Sequence, residues 1–273
     1  MSEKIGVIYS KDVKNSKQLA EEVQAVFGQH QITTKMCEIG NMCEDISLAI
    51  TIGGDGTILK TARFYCNLDV PVVGINLGRL GFLAQINPTE IQLVVDSILK
   101  NDFEIQKRLM LFEENTKLIA LNDIVIKSSD TGRTSSFVLS VNGKVLCEYL
   151  ADGLIVSTPT GSTAYNLSAG GPIVVPEMNV FVITAICPHT LSARPLVIPA
   201  DDVISITTKD NVENFFVTAD GQSSKTISPN QTTIIKKHSA KAKLFMLKRT
   251  NNGFYSVLRN KLHWGKAPSC QND

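Results

Sequence analysis

Three short apolar runs, Ile5–Tyr9, Leu48–Ile52 and Pro71–Ile75, are interleaved with helix-patterned segments, and this alternation constrains the fold more than any other feature of the chain. Asn15–Phe27 carries Leu19, Val23, Val26 and Phe27 at helical spacing, Ile58–Tyr65 is helix-like, and Pro88 opens a further helix through Leu99 with Pro and Glu in its first turn. A strand that is apolar on both faces needs cover on both faces, which helices give to a parallel sheet. Residues 1–108 are therefore expected to form an α/β N-terminal domain with a Rossmann-like parallel sheet.

From about Leu109 the pattern changes. Lys117–Leu121, Ile124–Lys127, Phe137–Val141, Lys144–Tyr149, Gly153–Ser157, Val180–Ile186, Val203–Thr208, Phe215–Thr218 and Thr232–Ile235 read as strands with few helical segments between them. Asn142-Gly143 separates two alternating runs, the signature of a tight hairpin with both turn residues at positive φ. Residues 109–250 are expected to form an all-β antiparallel C-terminal domain. Residues 251–273 remain a tail that could return to the first domain.

Composition removes several classes of function. The 273 residues are 43% hydrophobic and 19% charged, ordinary for a globular chain, and the formal net charge of +1 leaves no basic stripe for nucleic acid. The apolar segment after Met1-Ser2-Glu3-Lys4 is too short for a signal peptide, and Val180–Cys187 falls far short of the roughly 20 residues of a membrane span, so a cytoplasmic protein is expected. Cysteines 37, 43, 66, 147, 187 and 270 form no CxxC pair and, with four scattered histidines, no zinc pattern; they are expected to be reduced thiols, several of them buried.

The chemistry concentrates in four places. Gly53-Gly54-Asp55-Gly56-Thr57 follows the strand Leu48–Ile52, and the carboxyl end of a parallel strand is where α/β sheets bind ligands. Glycines and a helix start suit a phosphate, whereas a carboxylate among them repels one. Asp55 is therefore expected to accept a proton from an attacking hydroxyl or to bind a metal that bridges phosphates. A second glycine loop, Gly74-Ile75-Asn76-Leu77-Gly78-Arg79-Leu80-Gly81-Phe82-Leu83, follows the next strand; Phe82 can stack on a base or fill core. Asn122-Asp123 sets a polar pair among apolar strand residues, suited to a base edge and a ribose diol, or to a simple turn. Finally, Ala151 to Pro172 packs hydroxyls, one tyrosine and glycines behind an apolar strand, as a polar pocket wall requires.

The Gly-Gly-Asp-Gly string resembles a signature shared by NAD kinases, diacylglycerol and sphingosine lipid kinases, and phosphofructokinases. Asp152-Gly-Leu-Ile-Val-Ser-Thr-Pro-Thr-Gly-Ser-Thr-Ala-Tyr165 narrows the resemblance to the NAD kinase family, bacterial type, and Pro188–Pro195 and Ala219-Asp220-Gly221-Gln222 are similar to further stretches of that family. The resemblance implies transfer of the terminal phosphoryl of ATP to the 2′-hydroxyl of the adenosine ribose of NAD, with Mg²⁺ and without nucleic-acid or membrane partners, in a homo-oligomer. It implies Asp55 as proton acceptor with Gly56 beside it, and Asn122 and Asp123 holding the dinucleotide. Asp152, Thr160, Thr163, Ala164, Tyr165, Asn166, Leu167, Ser168 and Gln222 would line the NAD site, with Arg133 as a further contact. The ATP site is not of the P-loop kind, since no Gly-x-x-x-x-Gly-Lys-Ser/Thr string is present; Arg63, Arg79 and Arg194 are its candidates, and polyphosphate is an alternative donor. The chain departs from the family in having Asn122-Asp123 for Asn-Glu, Leu150 for an arginine found in some members, and Ala84-Gln85 where Thr and an acidic residue are usual. A lipid or other small-molecule kinase and a dinucleotide sensor without catalysis stay open as alternatives.

Overall fold

A computed structural model describes residues 4–78, 81–84, 86–129, 134–209, 214–248 and 253–264. In chain order the elements begin with β1 (Ile5–Tyr9), α1 (Ser16–Gln29), β2 (Thr34–Glu38), β3 (Leu48–Ile52), α2 (Asp55–Tyr65), β4 (Val72–Ile75), α3 (Ile91–Leu99) and β5 (Phe103–Arg108). There follow β6 (Leu111–Glu113), β7 (Ile119–Ala120), β8 (Asp123–Ser128), β9 (Ser135–Val141), β10 (Lys144–Ala151), β11 (Gly153–Ser157) and the single turn α4 (Tyr165–Ser168). The remainder is β12 (Val180–Ile186), β13 (Leu196–Pro199), β14 (Ile204–Thr208), β15 (Phe215–Ala219), β16 (Ser223–Ile227), β17 (Thr232–Lys237), β18 (Ala242–Leu247) and α5 (Phe254–Leu262). Contacts divide the chain into two compact units, one of Met1–Thr61, Val70–Gln106 and Leu244–Asp273, the other of Ala62–Asp69 and Lys107–Lys243.

The first unit is built on a sheet of order β2-β1-β3-β4-β18-β5, whose β2-β1, β1-β3, β3-β4 and β4-β18 pairs are parallel. Alternation along the strands feeds two layers. Ile5, Val7, Ile50, Ile52, Val73 and Ile75 pack against Leu19, Val23 and Phe27 of α1 and Ile91, Val94 and Val95 of α3. On the opposite face Ile58 of α2 packs directly on Gly74 of β4, where a Cβ would run into its Cδ1. Helices on both faces are what the doubly apolar strands demanded. The order reverses between β1 and β3, which makes the carboxyl end of β3 a topological switch point.

The same unit corrects one expectation. Cys37, at the end of β2, is joined to Cys43 by a disulfide, with Cα atoms 6.1 Å apart. Gly40 at φ +96° turns the chain and Asn41 N–H closes on Glu38 C=O, bringing the two cysteines within bonding distance although their spacing matches no familiar pair. Cys66, Cys147 and Cys187 are free thiols, and burial raises the pKa of Cys66; Cys270 lies outside the described residues.

The second unit is a sandwich of two sheets, β10-β9-β14-β17-β6-β7 and β13-β12-β11-β8-β15-β16, in which every described pair is antiparallel. Their inner faces share one core, in which Phe137 of β9 meets Phe215 of β15 edge to face at 5.8 Å. Asn142 and Gly143 both take positive φ, +49° and +76°, in the β9–β10 hairpin. The outer face of the second sheet is covered too: Val125, Ile155 and Ile186 pack under Tyr165 and Ala169 around α4. That cover explains why β11 is buried at all five positions instead of alternating. No helix among the described residues is long and apolar enough to cross a membrane.

Candidate functional site

In the first unit the Gly-Gly-Asp-Gly string forms the turn between β3 and α2. Gly53 takes φ +149°, and a Cβ there would stand 2.8 Å from Thr57 Cβ, so glycine is required where the strand folds into the helix. Gly54 C=O accepts the Thr57 N–H, which starts the helix at Asp55. The Asp55 carboxylate then reaches the second glycine loop. Its Oδ2 accepts the Phe82 N–H at 2.8 Å, and its Oδ1 accepts Leu83 N–H at 3.0 Å and Ala84 N–H at 2.9 Å. That loop is tightened by Gly81 N–H bonded to Ala84 C=O at 3.0 Å. Asp55 stays half-buried while Gly54 and Gly56 are exposed. The ring of half-buried Phe82 carries the Lys261 ammonium 5.2 Å from its centroid. Arg79 and Gln85 lie outside the described residues.

In the second unit the organising group is one that sequence reasoning had passed over. Asp220 and Gly221, at φ +52° and +63°, turn the chain between β15 and β16. The Asp220 side chain is fully buried and points at the start of β8. Its Oδ1 accepts the N–H groups of Asn122 (2.7 Å) and Asp123 (3.2 Å), and its Oδ2 accepts the Leu121 N–H at 3.1 Å. Arg63 Nη1 donates to Asp220 Oδ2 at 2.5 Å, and Nη2 to Gln222 Oε1 at 2.8 Å. The Arg63 cation, considered from sequence for a phosphate, thus neutralises a buried carboxylate within the protein. An Asp-Gly pair between two strands reads first as turn chemistry, and this hid the second task of Asp220.

Asp123 is buried beside that charge. Burial first, and then the negative charge of Asp220, pushes its carboxyl up to about 7. Asn122 is half-buried, and its backbone is gripped from the other side. Thr158 N–H donates to Asn122 C=O at 2.8 Å, Thr158 Oγ1 to Leu121 C=O at 2.6 Å, and Gly161 N–H to Thr158 Oγ1 at 3.0 Å. A Cβ on Gly161 would lie 2.6 Å from Asn122 Cα, so the hydroxyl-rich segment rests directly on the Asn-Asp pair.

This arrangement alters the expectation for the hydroxyls. Ser157, Thr158 and Ser162 are buried and spend their hydroxyls on backbone carbonyls, among them Asn122 C=O and Pro159 C=O. Asn166 is likewise closed off: its Nδ2 donates to Ser162 C=O and Pro172 C=O, and its Oδ1 accepts Thr184 Oγ1–H at 2.7 Å. The segment is thus a stitched wall whose inner hydroxyls hold its shape. Thr160 is buried, Thr163, Ala164, Tyr165 and Leu167 are half-buried, and Ser168 and Asp152 are exposed. Lys127 places its ammonium 4.9 Å from the centroid of the Tyr165 ring. Arg194 is exposed and bonded to Leu191 C=O and Ala193 C=O of its own loop. Arg133 lies outside the described residues.

Among the described residues no three His, Cys, Asp or Glu side chains cluster closely enough to hold a metal ion. The described residues therefore do not form a protein cage for Mg²⁺.

Residues 2–103 match the family model of the ATP-NAD kinase N-terminal domain and residues 121–247 that of the ATP-NAD kinase C-terminal domain. The NAD kinase of Carboxydothermus hydrogenoformans is 42% identical over 235 residues, 84% of this chain and 83% of its own. That of Thermoanaerobacter pseudethanolicus is 39% identical over 251 residues, 89% of this chain and 87% of its own. The structure of an NAD kinase from Archaeoglobus fulgidus in complex with ATP aligns with a TM-score of 0.75 at 25% identity, over 90% of this chain and 94% of the other. Yeast NADH kinase complexed with NADH aligns with a TM-score of 0.84 over 98% of this chain and 89% of the other; at 22% identity it speaks to the fold alone.

Proposed function

The chain belongs to the NAD kinase family, and we propose that it transfers the terminal phosphoryl of ATP to the 2′-hydroxyl of the adenosine ribose of NAD, giving NADP and ADP. The observation that carries the reading is Asp55: a carboxylate at the carboxyl end of β3, fixed by three backbone N–H groups and still half-exposed. In the proposed reaction the ribose oxygen bonds to the γ-phosphorus as the bond to the β,γ-bridging oxygen breaks, and the hydroxyl proton passes to Asp55. A carboxylate is a weak base toward an alcohol. In a loose transition state the proton leaves late, so Asp55 chiefly orients the hydroxyl and then collects its proton, an effect of about 10²–10⁴-fold.

Asn122 and Asp123, presented at the head of β8 by Asp220, are proposed to hold the dinucleotide. Thr160, Thr163, Ala164, Tyr165, Leu167 and Ser168 are proposed as the wall beside it, with Asp152 and Gln222 at its rim. A divalent cation, Mg²⁺ by expectation, would offset the charge of the ATP phosphates. A cytoplasmic homo-oligomer is proposed for the working protein. The test is direct: purified protein given NAD, ATP and Mg²⁺ should form NADP, and a lipid or sugar acceptor should not replace NAD. Phosphorylation of a lipid or sugar without formation of NADP would replace this reading with that of another kinase.

A further inference from the structure

The Asp55 carboxylate is held in an unusual way for a group proposed to take a proton. Three consecutive backbone N–H groups, those of Phe82, Leu83 and Ala84, point at it from one side of the second glycine loop. An ionised carboxylate has about four lone-pair directions. Oδ1 fills two of them with Leu83 and Ala84, while Oδ2 fills one with Phe82. Among the described residues' bonds one direction remains unfilled, and it lies on Oδ2.

The approach of the loop depends on Gly81. A Cβ at this residue would stand 2.6 Å from Asp55 Cγ and 2.9 Å from Oδ2, and closer still to Oδ1. The carboxylate by itself is enough to demand glycine here. The atoms in the way belong to the end of a side chain, which can swing aside; an alanine would fit the fold by displacing the carboxylate.

We infer that Gly81 is a positioning residue for the phosphoryl transfer: its missing side chain lets the amides of residues 82–84 seat Asp55 so that Oδ2 alone faces the substrate hydroxyl. The inference rests on the functional reading above. The O–H bond of the ribose breaks toward Oδ2, the new O–P bond forms, ADP departs with the electron pair of the broken bond, and the carboxyl formed on Asp55 returns its proton to solvent.

The experiment is steady-state kinetics of Gly81→Ala beside the unaltered protein, with thermal denaturation of both. A displacement of about 1 Å at a reacting group lowers turnover about a hundredfold. We expect that loss in kcat, with KM for NAD changed less than about threefold and a melting temperature lowered no further than in Asp55→Ala, a split that a general loosening of the loop would not produce. Normal kcat in folded Gly81→Ala would overturn the inference. Should Gly81→Ala prove unstable, Gly81→Ala in an Asp55→Ala background decides: stability equal to that of Asp55→Ala supports the steric coupling, and a further loss overturns it. If the unaltered protein makes no NADP, the functional reading falls and with it the catalytic role of Gly81, whereas NADP formation with an indifferent Gly81→Ala removes this inference alone.

Discussion

Arg63 donates to Asp220 at 2.5 Å, and the carboxylate side chain that receives the bond is wholly shielded from solvent while the Arg63 side chain is 14% exposed. This pair anchors the Asn122-Asp123 backbone, because the same carboxylate accepts the N–H groups of Leu121, Asn122 and Asp123. A buried charge with its cation removed is far costlier than the pair is favourable.

Arg63→Ala should therefore destabilise the protein by about 3 kcal/mol, the usual cost of stranding one member of a buried pair. Denaturant unfolding measures it, and NAD affinity should fall with it as the head of β8 loses its anchor. An unchanged unfolding midpoint would mean that solvent reaches Asp220 after all.

Asp123 makes stability depend on pH with a sign opposite to that of a salt-bridged carboxylate. Its carboxyl is raised from 3.8 to about 7 in the folded protein by burial and by Asp220. The unfolded chain therefore gives up this proton at lower pH than the folded one. The stabilisation is complete below about pH 4 and is lost as pH rises through 7, with a ceiling of about 4 kcal/mol for a shift of this size. Asp123→Asn keeps the neutral shape, so it should match the unaltered protein near pH 4 and exceed it at pH 8. Parallel melting curves at the two pH values would refute this.

Asp55→Asn should cut turnover at least about a hundredfold while leaving NAD binding largely intact. The structure adds a second consequence: an amide cannot accept from all three of Phe82, Leu83 and Ala84 N–H, because its nitrogen is a donor. A stability loss of about 1–2 kcal/mol should accompany the kinetic loss, seen in the unfolding midpoint. Near-normal turnover would remove Asp55 from the chemistry.

Gly161→Ala differs in kind from Gly81→Ala. Its Cβ would press on the backbone of Asn122, which cannot swing away. A stability loss of about 1–3 kcal/mol is expected, together with weaker NAD binding. Gly28→Ala is the control: it meets nothing within 4 Å and sits inside α1, where alanine is favoured by about 1 kcal/mol. Equal thermal shifts in the two variants would contradict the packing described.

The elements legible in the sequence were those whose residues state their surroundings. Leu48–Ile52, Gly153–Ser157 and Val180–Ile186 appear as strands with the expected bounds, because continuous apolar runs between turn residues admit little else. Strands β2, β5, β6, β13, β16 and β18 were not read, and the two-residue β7 was read too long. Apart from β18, they are short or carry exposed polar residues, and their partners supply what their own sequence does not. The Asp55 loop was legible because three glycines around a carboxylate exceed what a turn requires.

By itself the sequence determined a helix-covered parallel sheet followed by antiparallel β structure, the place of Asp55 at a strand end, and the Asn142-Gly143 hairpin. Those depend on side-chain period and on local φ preference, which neighbouring residues set. Only the tertiary structure decided that β18 joins β4, that Asp220 is the acceptor beneath Asn122-Asp123, that the hydroxyls of Ser157, Thr158 and Ser162 turn inward, and that Gly81 makes room for Asp55. Each of these joins residues far apart in the chain or depends on which way a loop faces. Hydrogen-bond donors and small side chains state a capacity, and the folded backbone chooses the partner.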